Sequence, residues 1–297
     1  MDIPYHHTSP VSIADIAGRL GLRKYGHEWR GACPSCGYRA ALIVTERLGR
    51  TLWHCVSCND KAGVTAAIKA ALGGLPIIPE ARPERLPRAV PADPAARRAR
   101  AEALWNGAER ITPDCAAGRY LERRGIAAVA ASPALRWRRD CPHPGGGRRL
   151  AMLCRIDVPD GTFAGVQRIF LAMDGTKAAI EPAKASLGTV AGGACRLAAP
   201  VDGALVIGEG VETAGAAGAL LRLPAWCAVS AGNMARTMQL PPDVRTVTVC
   251  ADNDPPGLAA AEAAARRWRQ EGRSVRIVRA SAEGADAADV IAAGNVP

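Results

Sequence analysis

The chain is 297 residues long, sets 38 Lys and Arg against 28 Asp and Glu for a formal charge of +10, and is 48% apolar but only 4% aromatic. That length and apolar content exclude a disordered chain and allow two or three small domains, each able to bury a core. The positive balance points to an anionic partner, nucleic acid before others, and says nothing of fold.

The first residues, Met1 to His7, lack the basic-then-apolar order of a secretory signal. No apolar run approaches the ~18 residues of a membrane span. Six dispersed cysteines (Cys115, Cys141, Cys154, Cys195, Cys227, Cys250) read as buried small apolar side chains in a reducing compartment. The expected location is therefore the cytoplasm, with no membrane partner.

In chain order, Ser12 to Leu22 has apolar residues at helical spacing behind a Ser N-cap. Cys33-Pro-Ser-Cys36 and Cys55-Val-Ser-Cys58 follow, separated by eighteen residues. Two such knuckles around a strand hairpin (Ala41 to Arg47, Thr51 to His54) have the spacing of a zinc ribbon, four thiolates closing one structural Zn²⁺ site. His27 and His54 are bystanders, because the tetrahedron is already full. The ribbon's face could also meet single-stranded nucleic acid through Trp29, Arg30, Arg39, Trp53 and Lys61. A short helix, Val64 to Leu72, closes this zinc-binding domain over 1–73.

Six prolines between residues 74 and 96 exclude a helix interior or a central strand and define a linker. A basic middle segment occupies 97–202. Asp93-Pro94 starts a helix running to about Arg110, and Thr112-Pro113 a second ending near Gly125. The period then changes to strand: Met152 to Ile156 and Phe163 to Leu171 flank a Pro-Asp-Gly turn and form an antiparallel hairpin. Gly145-Gly146-Gly147 is no phosphate loop, since no Gly-Lys-Ser/Thr follows it, and Cys141-Pro-His143 reads as a loop.

Over 203–297 strands and helices alternate, as in an open and mostly parallel sheet. The predicted strands are Ala204 to Ile207, Trp226 to Val229, Thr246 to Cys250 and Val275 to Val278. The predicted helices are Val211 to Leu221, Leu258 to Gln270 and Ala287 to Ala292. Acidic residues fall where strands end: Glu209, then Asp252 and Asp254, then Asp286 and Asp289. In a parallel sheet those ends share one edge, and carboxylates gathered there call for divalent cations near phosphates.

Gly208-Glu209-Gly210-Val211-Glu212-Thr213-Ala214, Ala251-Asp252-Asn253-Asp254 with Gly257, and Asp286-Ala-Ala-Asp289 together resemble the Toprim domain, shared by DnaG-type primases, topoisomerases and some nucleases. The resemblance implies Glu209 as acid/base residue and Asp252, Asp254 and Asp289, with Asp286 helping, as Mg²⁺- or Mn²⁺-holding carboxylates. Glu212, on the first helical turn, is read as a capping residue. The cysteine segment resembles the zinc-binding domain of DnaG-type and phage primases, with Cys36 where the bacterial replicative enzymes usually carry His. The fold class expected is thus α+β and multidomain, with a zinc ribbon, a mixed α/β middle and an α/β Toprim domain.

Charge is uneven along the chain. From residue 203 onward nine arginines face ten acidic residues, so the preceding 202 residues carry +11. Eight arginines lie within 119–149 against Glu122 and Asp140, with Trp137 among them. Arg136, Arg138, Arg139, Arg148 and Arg149 read as a track for template, and Arg155, Arg168, Lys177 and Lys184 as further grips on template or triphosphate. The expected function is a phage- or mobile-element-type DNA primase in a bacterial cell, making short RNA primers from NTPs on single-stranded DNA beside a separate replicative helicase. The rival readings are a non-catalytic zinc/Toprim recombination mediator and a Toprim nuclease.

Overall fold

The computed structural model describes residues 12–26, 28–47, 50–58, 60–73 and 93–279, in two compact units divided between Val90 and Pro91. In the first, Ser12 caps helix α1 (Ile13–Arg19). Its hydroxyl accepts the Asp15 N–H at 3.1 Å while the Asp15 carboxylate accepts the Ser12 N–H at 2.9 Å. Strands β1 (Arg23–Tyr25), β2 (Glu28–Gly31), β3 (Leu42–Arg47) and β4 (Arg50–Cys55) make an antiparallel sheet in that order. Helix α2 (Lys61–Ala71), capped by Asp60, follows. Trp29, Val44 and Trp53 oppose one another across β2, β3 and β4 and join Ile16, Leu42, Val64 and Ile68 in one core.

The second unit begins with α3 (Pro94–Asn106), whose Asp93 cap and N1 proline are the expected start signal. It ends at Gly107, earlier than expected. Helix α4 (Ala116–Arg123) and a 3₁₀ turn (Ala127–Ala131) lead into β5 (Leu135–Pro142), β6 (Arg148–Asp157), β7 (Phe163–Phe170) and β8 (Lys184–Gly188). These strands form an antiparallel sheet, so the predicted hairpin is the centre of a four-stranded structure. Both faces of this sheet are covered. Leu135, Trp137, Met152, Cys154 and Ile169 belong to a core shared with α4 and the C-terminal part, whereas Cys141, Leu153, Val166 and Phe170 pack with Leu104 and Trp105 of α3. That is why β7 is buried along its whole length. One extra residue in β5 between Arg138 and Cys141 turns Cys141 to the α3 side.

The C-terminal part contains β9 (Cys195–Arg196), β10 (Ala204–Gly208), α5 (Val211–Leu221), β11 (Ala225–Cys227), α6 (Ala231–Arg236), β12 (Thr246–Ala251), α7 (Pro255–Gln270) and β13 (Ser274–Arg279). Its sheet has the order β13-β12-β10-β11-β9, parallel throughout except for β9. The architecture is the α+β, multidomain one expected, with a four-cysteine cluster in the first unit and a mostly parallel sheet at the C-terminal end. The linker residues 74–92, His27 and the helix expected at 287–292, with Asp286 and Asp289, lie outside the described residues. Among the described residues no helix is long and apolar enough to cross a membrane.

Candidate functional site

The four sulfurs of Cys33, Cys36, Cys55 and Cys58 all lie within 4.8 Å of one another. Cys36 Sγ and Cys55 Sγ are 3.7 Å apart, and four thiolates on Zn²⁺ at ~2.3 Å would sit about 3.8 Å apart. The donor set and its spacing fit a zinc ion. Backbone N–H groups of Ser57 and Cys58 aim at Cys55 Sγ at 3.4 and 3.3 Å, the knuckle geometry that steadies a thiolate. His54 is exposed and not part of the cluster.

In the C-terminal sheet the chain passes from β10 to β11 on one side and then back across to β12 on the other. The crevice at such a reversal, beyond the carboxyl ends of the strands, is where open α/β sheets hold ligands. Glu209 follows β10 and Asp252 follows β12, and the parallel register sets Gly208 opposite Cys250, so the two acidic residues leave neighbouring strands at one edge. Glu209 is buried. Its carbonyl accepts the Cys227 thiol at 3.2 Å, while Ala228 N–H donates to Gly208 O at 2.9 Å. A Cβ on Gly208 would lie 2.6 Å from the backbone nitrogen of Ala214; glycine lets α5 start hard against the strand. Thr213, on that first turn, donates its hydroxyl to Asp252 Oδ1 at 3.0 Å. Asp254 caps α7, its Oδ1 accepting the Gly257 N–H at 2.7 Å. Oxygen donors from adjacent strand ends are the kind a hard divalent cation takes, but among the described residues only the four cysteines bring three or more candidate ligands together; Glu209, Asp252 and Asp254 share a sheet edge without forming such a cluster.

Glu212 is not a cap. Gly210 occupies the N-cap position without a side-chain hydrogen bond, and the Glu212 carboxylate is buried among groups of the middle segment. It accepts the Tyr120 hydroxyl and pairs with Lys177 Nζ at 3.2 Å and Lys184 Nζ at 3.0 Å. Burial by itself would raise this carboxyl; the two ammonium groups and the phenol outweigh it and hold it well below the usual carboxylate range. Burial, and the neighbouring Glu212 charge after it, push the Tyr120 phenol up. Lys177 is lowered by burial, whereas Lys184, also disfavoured by burial, is raised on balance by Glu212.

Just past β11 sits Val229, a β-branched residue at φ 73°. That left-handed backbone is costly for valine and marks a constrained sheet edge. Its N–H donates to Cys227 Sγ at 3.3 Å and its carbonyl accepts Gln167 Nε2 of β7 at 3.1 Å. Neither Gln167 nor Val229 carries a sequence signal. Glu212 stands in the Gly208–Ala214 motif, but only its meeting with Tyr120 in space reveals the contact they make.

The basic residues divide. Arg139 and Arg149 are exposed; Arg139 stacks on Trp137 at 4.9 Å and Arg149 bonds the Arg148 carbonyl. Arg138 and Arg148 both pair with Asp140, at 2.6 and 3.0 Å. Arg136 lies over Trp105 at 4.6 Å and bonds its carbonyl. Arg168, expected on the nucleic-acid surface, is buried and donates to the carbonyls of Pro142, Ala185 and Ser186; it faces the α3 side of a sheet covered on both faces. Trp53 is likewise turned inward, its indole N–H on Thr65 Oγ1 at 3.0 Å. Lys184 is held by Glu212. Cys141 is buried, its thiol pushed up to about 11, and His143 packs edge-on against Phe170, so this pair is structural.

A mostly parallel sheet with acidic residues at the switch between its central strands defines an α/β domain of open-sheet type. Residues 204–295 match the Toprim domain family, and the C-terminal part of the chain is a Toprim domain. Residues 95–197 match a family described as a domain of unknown function, DUF7146. No curated protein matches the chain in sequence. Among solved structures it is similar to the zinc-binding and RNA polymerase domains of the Aquifex aeolicus primase, at 14% identity and a TM-score of 0.46, over 94% of this chain and 79% of that one. It is also similar to the primase fragment of the bacteriophage T7 primase-helicase protein, at 13% identity and 0.42, over 90% and 95%. A third is the RNA polymerase domain of Mycobacterium tuberculosis primase DnaG in complex with double-stranded DNA, at 17% identity and 0.43, over 67% and 76%.

Proposed function

We propose that the protein is a DNA primase that joins ribonucleotides on a single-stranded DNA template. One observation supports this reading: the Toprim match over 204–295, in which Glu209 and Asp252 follow the neighbouring strands β10 and β12 and Lys184 of the preceding segment lies near Gly210. In this reading residues 1–73 bind zinc, 74–96 link, 97–202 hold template and nucleotide, and 203–297 carry the reaction. Glu209 takes the proton from the primer 3′-hydroxyl, and Asp252 and Asp254, with Asp286 and Asp289, hold Mg²⁺ or Mn²⁺. The cations would supply charge neutralisation at the α-phosphate and the leaving pyrophosphate. Lys177 and Lys184 set a positive field for the triphosphate, and Arg139, Arg148 and Arg149 meet the template backbone. A separate replicative helicase and a cytoplasmic setting complete the proposal.

The test is incubation of the full chain with single-stranded DNA of varied sequence, labelled NTPs and Mg²⁺ or Mn²⁺. Template-dependent short products are expected, with at least about a 100-fold loss in Glu209→Ala and in Asp252→Ala. DNA binding without synthesis on every template would overturn the reading in favour of a mediator, and shortened DNA in favour of a nuclease.

A further inference from the structure

Glu212 has no task in the reaction as proposed, yet its carboxylate is buried and engaged by three groups, Tyr120, Lys177 and Lys184. Its side chain is 4% exposed, while those of Lys177 and Lys184 remain 35% and 34% exposed. All three partners come from the middle segment: Tyr120 from α4, Lys177 beside the bridge it forms with Leu171, and Lys184 from the start of β8. Arg124 lies near enough to act on both Tyr120 and Lys177. On the Toprim side, Glu212 sits between the site's two acidic anchors in the chain. Glu209 and Gly210 precede it, and Thr213, which holds Asp252, follows. Lys184 Nζ is 3.7 Å from where a Cβ of Gly210 would be, at a helix start that no side chain caps.

The arithmetic of charge is simple. Among Glu212, Lys177 and Lys184, two ammonium groups and one carboxylate leave a single positive charge beside the N-terminus of α5, to which Arg124 adds from the side of Tyr120. Without Glu212 the same place would hold two ammonium groups with no carboxylate between them, a like-charge pair that repels and moves.

We propose that Glu212 is a positioning residue of the carboxylate site. It clamps the first turn of α5 to the middle segment, which fixes Glu209 and Asp252 in one geometry, and it holds Lys177 and Lys184 as a pair with one net positive charge beside Gly210. The inference deepens the nucleotidyl-transfer reading and rests on it for the meaning of turnover. Its physical core, the coupling of Glu212 to the lysines, stands apart from activity.

Three variants of the full chain test it: Glu212→Gln, Lys177→Met and the double variant, with Glu122→Gln, an exposed carboxylate of α4, as control. In Glu212→Gln, turnover is expected to fall about 30-fold while the affinity for Mg²⁺-ATP, read by calorimetry, tightens about threefold, because the anion meets two positive charges in a loosened site. A side chain that merely filled the core would lower both or neither. The double variant restores the charge count of the pair but not the clamp, and is expected to return Mg²⁺-ATP affinity to within about twofold of the native protein while turnover stays about 30-fold low; full recovery of turnover would overturn the clamp. Glu122→Gln is expected to change nothing. Urea unfolding of the native protein, the two single variants and the double variant should show Glu212 and Lys177 coupled by at least about tenfold in the unfolding constant. Uncoupled unfolding would overturn the clamp even if the native protein makes no primers. Turnover in Glu212→Gln within twofold of native would overturn the positioning role in a protein that does. An inactive native protein with coupled unfolding and tightened nucleotide binding would sink the primase reading and leave the clamp standing.

Discussion

Two arginines that look alike in sequence have opposite fates. Arg168 is enclosed by three backbone carbonyls with Phe170 at 5.8 Å, whereas Arg149 is exposed at the start of β6. Arg168→Ala removes the donor from Pro142, Ala185 and Ser186 and opens the α3-side core; a loss of about 2–4 kcal/mol in urea unfolding is expected. Single-stranded DNA affinity of the folded variant should stay within about twofold. Arg149→Ala should leave unfolding unchanged, weaken DNA binding, and reduce the slope of log affinity against log salt by about 0.7. Anisotropy titrations at three salt concentrations separate the two. The sequence contains no sign of this difference. Arg168 alternates with Gln167 and Ile169 on a strand whose two faces are both covered, so periodicity fails to mark an outside.

At the level of elements, legibility followed local chemistry. The cysteine knuckles, the Ser12 and Asp93 caps and the strand-helix rhythm from Ala204 to Arg279 are short-range signals and appear where expected, except that Asp254 caps α7, which starts at Pro255 and not Leu258, and that α6 is additional. Strand β5 was hidden because its alternation runs through arginines: Leu135 and Trp137 point inward while Arg136 and Arg138 lie against α3, so a half-buried strand read as a charge cluster. Strand β8, Lys184–Gly188, has no alternation at all. The ribbon's orientation was also unreadable. Pairing puts Trp29, Val44 and Trp53 in one row against the helices, so the opposite row is Arg23, Arg30, Ile43 and His54; Ile43 is buried there, while Arg23, His54, Leu52 and Val56 are exposed. A core this small depends on its metal. Chelation of the full chain, or Cys55→Ser, is therefore expected to abolish protease protection across residues 12–73 and leave that of 93–279 intact. Equal loss in both units would contradict a zinc site confined to the first.

Across the whole molecule, the feature that no local signal foretold joins residues far apart in the chain. Tyr120 and Glu212 are separated by 92 positions, and what binds them is a charge balance inside a shared core, which composition cannot locate. That balance has a signature in pH. Glu212 is held below its ordinary range in the folded protein, against about 4.3 when unfolded. A depressed carboxyl contributes stability that is fully present above its unfolded value and is lost as pH falls toward its native one. Lys184, raised in the fold, contributes stability present below its unfolded value of about 10.4 and lost above its native one, while Lys177, lowered by burial, opposes it there. The difference in unfolding free energy between native protein and Glu212→Gln should accordingly be flat from about pH 6 to 9, at about 3–5 kcal/mol, the cost of leaving buried charges unpaired. It should shrink steadily below about pH 4 as the native carboxylate loses its advantage. Urea unfolding across that range measures it. A difference that instead grew on acidification would mean that Glu212 is protonated in the fold, and the lysine pair would then need another counter-charge.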